Sequence, residues 1–332
     1  MQNRTFLALV VDKEEEQVHS SIREIERDSL PEGDVLVEVA YSSLNYKDGL
    51  AVTGRGKVIR RYPLAPGIDL AGTVVESDSD QFRVGDTVLA TGWGLGEVHW
   101  GGYAQLARLE TDWLTPLPAG LTLKQAMAIG TAGLTAMLSV AALEQQGLQP
   151  DQGAVVVTGA TGGVGSLAVA ILARLGYQVV ASTGRAEAQD YLQNLGASKI
   201  IDRAELAEPP ARPLVSGRWA GAIDVVGGST LASLLASLKP EASVAACGLA
   251  GGSDLQTTVF PFILRGVNLL GINSGTVPAE QRRELWDRLA RDLSPDLLDG
   301  LTQVIPLAAV PDFGHKIIDG QIRGRVVVDV NG

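Results

Sequence analysis

Residues 154–176 read AVVVTGATGGVGSLAVAILARLG and are the most informative part of the chain about its fold. A run of valines is followed by a glycine-rich turn and then by an apolar segment that predicts a helix beginning near Gly163. On the pattern G-x-G-x-x-G the three positions are held by Ala160, Gly162 and Gly165. Glycine at 162 allows the backbone to approach a diphosphate, and glycine at 165 allows the helix to pack closely on the strand. The stretch therefore predicts a dinucleotide-binding strand, turn and helix, and the alternative is a tight turn without a ligand.

Short, continuously apolar strands alternate with helices beyond Thr122. The predicted strands are AVVVTG, YQVVAST, KIID, GAIDVVG, ASVAACG and VNLLGI. Apolar strands between helices are typical of a parallel sheet covered on both faces, and right-handed crossovers between them give a doubly wound α/β fold. A polar, proline-rich connection is expected between Asp202 and Trp219.

A mostly β pattern precedes this region, from about residue 30 to residue 120. It contains stretches such as DVLVEVAYSSL and GIDLAGTVVE, and the last residues, ending in GRVVVDVNG, return to β character. Because 332 residues are many for one hydrophobic core, two domains are expected. We predict a mostly β domain over residues 1–124, a dinucleotide-binding domain over 125–298, and a C-terminal return to the first domain over 299–332.

The composition restricts the partners and sites that the chain is expected to have. A formal net charge of -11 argues against binding to nucleic acid or to an anionic membrane surface. The single cysteine, Cys247, excludes an internal disulfide framework, and with three dispersed histidines it predicts no metal site. The apolar run 6–11 is too short for a signal peptide, and the uncharged runs 125–143 and 152–173 are expected to be buried elements rather than membrane spans. We therefore expect a cytoplasmic protein.

The second predicted strand indicates which dinucleotide binds. An acidic residue about 20 positions beyond the glycine-rich turn holds the ribose 2′-hydroxyl of NAD. Here residues 182–185 read STGR, with no acidic residue before Glu187. Hydroxyl groups and the fork of donors on Arg185 suit a 2′-phosphate, so NADP(H) is favoured over NAD(H). The alternative is a solvated Arg185 at the start of a helix.

With these motifs the chain resembles the medium-chain dehydrogenase/reductase superfamily, and within it the zinc-free quinone oxidoreductase branch of the acryloyl-CoA reductase type. The resemblance rests on SSLNYKDGLAVTG, PGIDLAGTV, TGWGLGEVHWGGYAQ, IGTAGLTAML, VVVTGATGGVG, WAGAIDVVGG, ACGLAGG, PFILRGVNLLGINS and GRVVVDV. These stretches span almost the full length, and NYKD, HWGG and PFILRGV are specific to this branch. The resemblance implies a GroES-like, mostly β catalytic domain, a Rossmann domain with a doubly wound parallel sheet, NADPH as hydride donor, and a homodimer. VNLLGI is a candidate edge strand for pairing across a two-fold axis.

The resemblance also implies cofactor contacts by position. It places Tyr46 at the nicotinamide end of the cofactor. The other implied contacts are Thr161, Gly162, Gly163 and Val164 at the diphosphate, Thr183, Gly184, Arg185 and Arg203 at the 2′-phosphate, and Leu249, Ile263, Ser274 and Gly320 elsewhere. Gly320 stands where the family often has a polar side chain, so only a backbone contact is expected there.

Hydride transfer without a metal requires an acceptor that is already activated by conjugation. One candidate is an enoyl thioester, whose enolate is stabilised by hydrogen bonds to the thioester oxygen before protonation at the α-carbon. The other is a quinone. Tyr46 and Asn45 of NYKD are the candidate catalytic residues, and the alternatives are an aromatic wall for Tyr46 and a loop-fixing role for Asn45. Lys47 and Asp48 are interpreted as a local ion pair.

Residues 54–61 read GRGKVIRR and concentrate positive charge in an acidic chain. Coenzyme A carries a 3′-phosphate and a diphosphate remote from its thioester, and we expect these to meet Arg55, Lys57, Arg60 and Arg61. The alternative is a solvated loop or an ion pair across a dimer. The predicted function is NADPH-dependent reduction of a short 2-enoyl-CoA, acryloyl-CoA to propanoyl-CoA. The alternatives are a quinone or enone reductase and a non-catalytic NADPH-binding protein like the crystallin relatives of this superfamily.

Overall fold

The computed structural model describes residues 4–15, 17–208 and 212–332. Residues 209–211, which belong to the predicted proline-rich connection, lie outside the described residues. The chain forms two compact units. The first unit contains the described residues up to Thr131 together with Gly275–Gly332, and the second contains Ala132–Ser274.

The strands and helices are named here in chain order. The strands are β1 (Thr5–Glu14), β2 (Gln17–Glu26), β3 (Val35–Leu44), β4 (Asp69–Ser77), β5 (Thr87–Thr91), β6 (Leu106–Leu109), β7 (Thr115–Pro116), β8 (Val155–Val157), β9 (Val179–Thr183), β10 (Lys199–Asp202), β11 (Trp219–Asp224), β12 (Leu238–Ala246), β13 (Asn268–Gly271), β14 (Thr302–Pro306) and β15 (Arg325–Asp329). The helices are α1 (Tyr46–Thr53), α2 (Leu123–Gln145), α3 (Gly163–Arg174), α4 (Gln189–Asn194), α5 (Gly228–Ser237), α6 (Phe260–Arg265), α7 (Ala279–Asp292), α8 (Pro295–Gly300) and α9 (Val310–Ile318).

The first unit is built on a seven-stranded sheet in the order β14-β15-β3-β4-β5-β7, with β6 paired to β3. β14 and β15 are parallel, and the other strand pairs are antiparallel. The last strand, β15, pairs with β3 so that Val326 lies opposite Leu44, and both residues are buried in the core of the unit. The end of the chain therefore completes the sheet that carries the loop before α1.

The second unit is a six-stranded parallel sheet in the order β10-β9-β8-β11-β12-β13. This is the order 3-2-1-4-5-6 of a doubly wound nucleotide-binding fold. All six strands predicted from the sequence are present, α3 begins at Gly163 as predicted, and β13 is an edge strand. The predicted fold class is confirmed.

The predicted domain limits after residues 124 and 298 do not coincide with the division between the units. Helix α7, predicted as part of the nucleotide-binding domain, lies in the first unit. Its Arg282 is buried and donates hydrogen bonds from Nη1 to the Thr91 carbonyl oxygen at 2.7 Å and to Thr91 Oγ1 at 2.6 Å. These contacts fix the helix to the end of β5.

Among the described helices, α2 is long and apolar enough to cross a membrane, with a mean hydropathy of 1.8 in its most apolar window. That window is 78% buried inside the protein. A capping box lies at its start, because the Gln125 N–H donates to Thr122 Oγ1 and the Thr122 N–H donates to Gln125 Oε1. The helix is interrupted at Gly130, which has φ of +51°. These features fit a core helix better than a membrane span.

Candidate functional site

The glycine-rich turn between β8 and α3 has the shape expected of a diphosphate cradle. Gly159 has φ of +54°, and a Cβ on Gly165 would lie 2.3 Å from the Gly159 carbonyl oxygen. Gly162 precedes the first turn of α3, and Thr161 is buried beside it. The Gly162 N–H donates to the Gly159 carbonyl oxygen at 2.9 Å. The first N–H groups of a helix have no acceptor within that helix, so those of Gly163, Val164 and Gly165 can donate to an anion.

The next two strands bring the predicted 2′-phosphate residues together. β9 ends at Thr183, and its Oγ1 accepts a hydrogen bond from the Arg185 N–H at 3.1 Å. β10 ends opposite, where Asp202 pairs with Thr183, and Arg203 follows. A Cβ on Gly184 would lie 2.5 Å from Arg203 Nε, so the Arg203 side chain lies directly against this glycine. Thr183 and Arg185 therefore flank Gly184 in the chain, and the Arg203 side chain packs against it.

The remaining predicted cofactor contacts are distributed over both units. Leu249 follows β12 and Ile263 lies on α6, and their side chains are strongly exposed. Ser274 Oγ accepts a hydrogen bond from Thr135 Oγ1 at 2.7 Å. Gly320 follows α9 in the first unit, with φ of +68° and an N–H that donates to the Ile317 carbonyl oxygen. Glycine adopts this left-handed φ without strain.

The NYKD motif lies at the start of α1. Tyr46 is the first helical residue, and 42% of its surface is exposed. Asn45 is buried, and its Nδ2 donates to Asp69 Oδ2 at 2.9 Å and to Ser43 Oγ at 3.1 Å. Its Oδ1 accepts from Arg325 Nη1 at 3.2 Å. The side chain of Asn45 is thus committed to its own loop, whereas that of Tyr46 is accessible.

Asn45 belongs to a buried ionic cluster with Asp48, Asp69 and Arg325, which we call the ionic cluster. Asp69 accepts hydrogen bonds from Thr131 Oγ1 at 2.5 Å and from the Thr131 N–H at 2.9 Å. Asp48 accepts from the N–H groups of Asn45 and Ile68. Arg325 Nε donates to the Ala128 carbonyl oxygen at 2.8 Å.

Burial dominates the electrostatics of the ionic cluster. Burial, and then the negative charge of Asp69, raise the pKa of Asp48 to about 7, against the hydrogen bonds that it accepts. Burial lowers the pKa of Arg325, while Asp69 and Asp48 oppose that change. Tyr103 donates from its hydroxyl to the Ser43 carbonyl oxygen at 3.0 Å, and burial raises its pKa well above the ordinary value. The cluster therefore holds the start of α1 through charge as well as through hydrogen bonds.

Sequence reasoning missed this cluster and misassigned one member of it. Lys47 does not pair with Asp48: its Nζ lies 2.9 Å from Glu97 Oε1. Asp48 is directed instead into the buried interior of the unit. A partial signal was present, because Asp69 and Arg325 are charged residues that begin the buried strands β4 and β15, and each is followed by an uncharged run.

Glu97 links the start of α1 to the basic loop, residues 54–61. Its side chain binds Lys47, and its carbonyl oxygen accepts from the Arg60 N–H at 2.9 Å. All four cationic side chains of the loop are exposed, namely Arg55, Lys57, Arg60 and Arg61. Arg55 Nη1 pairs with Asp319 Oδ1 at 2.5 Å. The structure therefore brings the basic loop and the NYKD motif together in the first unit and gives one of the four cations a partner of its own.

Within the described part of the chain, no group of three or more histidine, cysteine, aspartate or glutamate side chains is arranged to hold a metal ion. Burial raises the pKa of Cys247 to about 12, which disfavours the thiolate that a metal ligand requires. The ionic cluster already contains a positive charge, the Arg325 guanidinium. The donor set does not fit catalytic zinc.

A doubly wound nucleotide-binding sheet and a mostly antiparallel unit carrying a polar loop define a two-domain nicotinamide-dependent oxidoreductase. Residues 31–119 match the alcohol dehydrogenase GroES-like domain family, and residues 163–291 match the zinc-binding dehydrogenase family. The chain is 54% identical over 328 residues to the acrylyl-CoA reductase AcuI of Ruegeria pomeroyi, covering 98% of this chain and 99% of that protein. It belongs to the medium-chain dehydrogenase/reductase superfamily, in the zinc-free quinone oxidoreductase branch.

Two solved structures share the fold over nearly the full length. Escherichia coli K-12 YhdH with bound NADPH is 52% identical with a TM-score of 0.95, covering 98% of this chain and 100% of that chain. Bacillus subtilis yhfP with NAD bound is 48% identical with the same TM-score of 0.95 and the same coverages, 98% and 100%. The curated name of that Bacillus protein describes it as a quinone oxidoreductase, YhfP.

Proposed function

We propose that the protein is an NADPH-dependent reductase of a short 2-enoyl-CoA, converting acryloyl-CoA to propanoyl-CoA. The observation that carries this proposal is the 54% identity to an acrylyl-CoA reductase over 98% of the chain. The exposed tyrosine of NYKD and the basic loop, joined through Glu97, are the local features that support it.

NADP(H) is the cofactor that the second unit fits. The glycine-rich turn accommodates a diphosphate, and Thr183, Arg185 and Arg203 around Gly184 offer donors for a 2′-phosphate. NADP(H) is bound in the solved structures of the Salmonella and Escherichia coli relatives, whereas NAD is bound in that of the Bacillus relative. Bound NADPH supplies the hydride of the reaction.

Tyr46 is proposed as the residue of the first unit that contacts the reactants. Conjugation to the thioester carbonyl makes the β-carbon of the acyl group electrophilic, and a hydrogen bond to the thioester oxygen stabilises the resulting enolate. A proton is then added at the α-carbon. The accessible hydroxyl of Tyr46 is the proposed donor of this proton. Asn45 is proposed to position Tyr46 by fixing the preceding loop.

Lys57, Arg60 and Arg61 are proposed to bind the phosphates of coenzyme A. Their side chains are exposed, and among the described residues none of them has an ion-pair partner within 4.0 Å. Arg55 is a weaker candidate, because a phosphate must compete with Asp319 for its guanidinium. Such contacts, remote from the reacting carbons, position the acyl group.

NADPH oxidation with acryloyl-CoA, free acrylate and a benzoquinone, measured side by side, tests the proposed activity. We expect kcat/KM to be highest for acryloyl-CoA by several orders of magnitude. A higher value for the quinone would establish the second candidate function, quinone reduction, which the name of the Bacillus relative favours. NADPH binding without turnover of any of the three substrates would identify a non-catalytic binding protein.

Single alanine variants test the basic loop. Replacement of Lys57, Arg60 or Arg61 is expected to raise KM for acryloyl-CoA about tenfold, because a charged hydrogen bond is lost, with KM for NADPH unchanged. Arg55→Ala should have a smaller effect. Arg83→Ala, at an exposed arginine outside the loop, is the matched control. Unchanged acryloyl-CoA kinetics in all the loop variants would show that the loop is a solvated surface and does not bind coenzyme A.

A homodimer is proposed through β13, the edge strand of the second unit. Its Leu269 is 38% exposed, and an unpaired strand edge offers N–H and C=O groups to a second copy. Sedimentation of Leu269→Lys should show a monomer if this edge forms the interface, whereas an unchanged dimer would place the interface elsewhere. A cytoplasmic location is proposed from the acidic composition and the single cysteine.

A further inference from the structure

Asp224 is a fully buried carboxylate in the second unit to which the proposed reaction gives no role. It is the last residue of β11, and its carboxylate accepts hydrogen bonds from two different loops. Oδ1 accepts from Thr158 Oγ1 at 2.6 Å and from the Val226 N–H at 3.3 Å, and Oδ2 accepts from the Gly227 N–H at 2.8 Å. A single side chain thus holds both the end of β8 and the loop after β11.

Thr158 transmits this contact to the glycine-rich turn. It directly precedes Gly159, the first residue of the turn with positive φ. Its Oγ1 also accepts from the Val225 N–H at 3.1 Å, and its own N–H donates to the Ile223 carbonyl oxygen. A Cβ on Gly159 would lie 2.5 Å from Val225 Cγ2, so the turn is packed directly on the loop that Asp224 organises. Movement of that loop would displace the turn.

The backbone of Asp224 holds a third loop, the one that follows β12. Its carbonyl oxygen accepts from the Cys247 N–H at 2.9 Å, with Cys247 Sγ at 3.4 Å from the same oxygen. The Gly251 N–H donates to the Val226 carbonyl oxygen at 2.7 Å. Because β8, β11 and β12 are adjacent and parallel, their three loops meet at the edge of the sheet where doubly wound folds bind nucleotides.

In the described residues, the groups that hydrogen-bond to the Asp224 carboxylate are all donors, two backbone N–H groups and one hydroxyl. Neutral asparagine has the same shape but carries an NH2 group in place of one oxygen. In either orientation that NH2 group would face a donor. The residues around the 2′-phosphate position are separate from this network, since Asp224 makes no hydrogen bond to Thr183, Gly184, Arg185 or Arg203 in the described chain.

We infer that Asp224 is a positioning residue for the nucleotide diphosphate, acting through Thr158 and the loop after β11 to hold the glycine-rich turn in its anion-binding shape. It does not touch the ligand. This inference rests on the dinucleotide binding of the proposed function and is independent of which acceptor is reduced. Two separate groups of residues then serve the two phosphate positions of NADPH. The Asp224 network serves the diphosphate, and Arg185 and Arg203 serve the 2′-phosphate.

Calorimetric titration with NADPH and with adenosine 2′-phosphate, which lacks the diphosphate, distinguishes the contributions of these two groups of residues to binding. Asp224→Asn is expected to weaken NADPH binding at least tenfold and to change the Kd of adenosine 2′-phosphate less than twofold. Arg203→Ala is the matched control. Because both ligands carry the 2′-phosphate, this variant should weaken the binding of NADPH and of adenosine 2′-phosphate by similar factors. Equal losses of both ligands in Asp224→Asn, or an NADPH affinity within twofold of wild type, would overturn the inference.

A second pair of variants keeps the test readable if Asp224→Asn does not fold. Thr158→Val removes the hydroxyl that joins Asp224 to the turn and should weaken NADPH selectively, whereas Thr158→Ser keeps the hydroxyl and should restore most of the affinity. Equal NADPH affinities in the two Thr158 variants would contradict the inference. If wild-type protein bound NADPH but did not reduce acryloyl-CoA, the proposed substrate would be wrong, and the inference about Asp224 would be unaffected. Wild-type protein that does not bind NADPH would overturn both.

Discussion

Each unit contains a buried carboxylate that fixes loops, but the two carboxylates are satisfied in different ways. Asp69 in the first unit also accepts from neutral donors, Ser43, Asn45 and Thr131, but it interacts in addition with the charges of Asp48 and Arg325, which come from segments far apart in the chain. Among the residues that the structure describes, Asp224 in the second unit accepts hydrogen bonds only from neutral donors, in loops at the ends of neighbouring strands. The first arrangement therefore contains a buried cation beside the hydrogen bonds, whereas the second consists of hydrogen bonds from neutral groups. We expect removal of a partner residue to lower the free energy of unfolding by different amounts in the two units.

Arg325→Met should give the largest effect, because it leaves two buried carboxylates without their cation. Removal of one partner from a buried charged set costs about 3–5 kcal/mol. The free energy of unfolding measured in urea, with hydrogen exchange in β3 and β8 to separate the units, checks this. The loss should be confined to β3 and its neighbours, and Arg323→Met, at a nearby exposed arginine, should have little effect. Equal loss of protection in β8 would contradict a local role.

Thr158→Val should cost less, about 1.5–3 kcal/mol, the range for a hydrogen bond to a charged group. Two backbone N–H groups still solvate the Asp224 carboxylate in this variant. The same urea and exchange measurements apply, with the loss now in β8 and β11. A cost as large as that of Arg325→Met would abolish the proposed difference between the two carboxylates.

Asp48 gives the ionic cluster a pH dependence. Its folded-state pKa is raised to about 7, above its usual value, so the folded state binds more protons than the unfolded state between about pH 4 and pH 7. Stability contributed by this group is therefore present at low pH and is lost as the pH rises, by up to about 1.4 kcal/mol per pH unit. The free energy of unfolding of wild type minus that of Asp48→Asn should fall through this window and level off above about pH 8. A constant difference would show that Asp48 does not titrate there.

Arg55→Ala should have the smallest effect on stability, below about 0.5 kcal/mol, because exposed ion pairs contribute little. The Arg55 and Asp319 side chains are 47% and 44% exposed, unlike the buried charges of either unit. Thermal unfolding of Arg55→Ala and Asp319→Ala at low and high salt measures this. A loss above 1 kcal/mol in either variant would show that surface charge also holds the basic loop in place.

The parts of the fold that follow from local pattern were predictable. The six parallel strands and the start of α3 at Gly163 follow from apolar runs and a glycine-rich turn, which specify strand, turn and helix within one segment. The accessible Tyr46 and the grouping of Thr183, Gly184, Arg185 and Arg203 agree with the expected positions. Their roles toward the cofactor stay predictions.

Charged residues at the starts of β4 and β15 mark two members of the ionic cluster in the sequence, but their association was not predictable, because the members come from three segments that only the fold brings together. Lys47 and Asp48 are neighbours in sequence, yet the helix directs one toward Glu97 and the other into the core. Gly130 is a further example: a Cβ there would lie 2.5 Å from Asp69 Oδ2, a contact between residues that are distant in the chain. Long-range pairing of this kind leaves no periodic trace in the sequence.

The strand that carries Arg325 also bears on the order in which the chain folds during synthesis. The second unit is one uninterrupted segment, Ala132–Ser274, so a ribosome releases all of it before β15 is translated. The positive charge of Arg325, which interacts with Asp48 and Asp69, is absent until that late strand emerges. We therefore expect the nucleotide-binding unit to become protease-resistant on arrested nascent chains before β15 has been added to the sheet of the first unit.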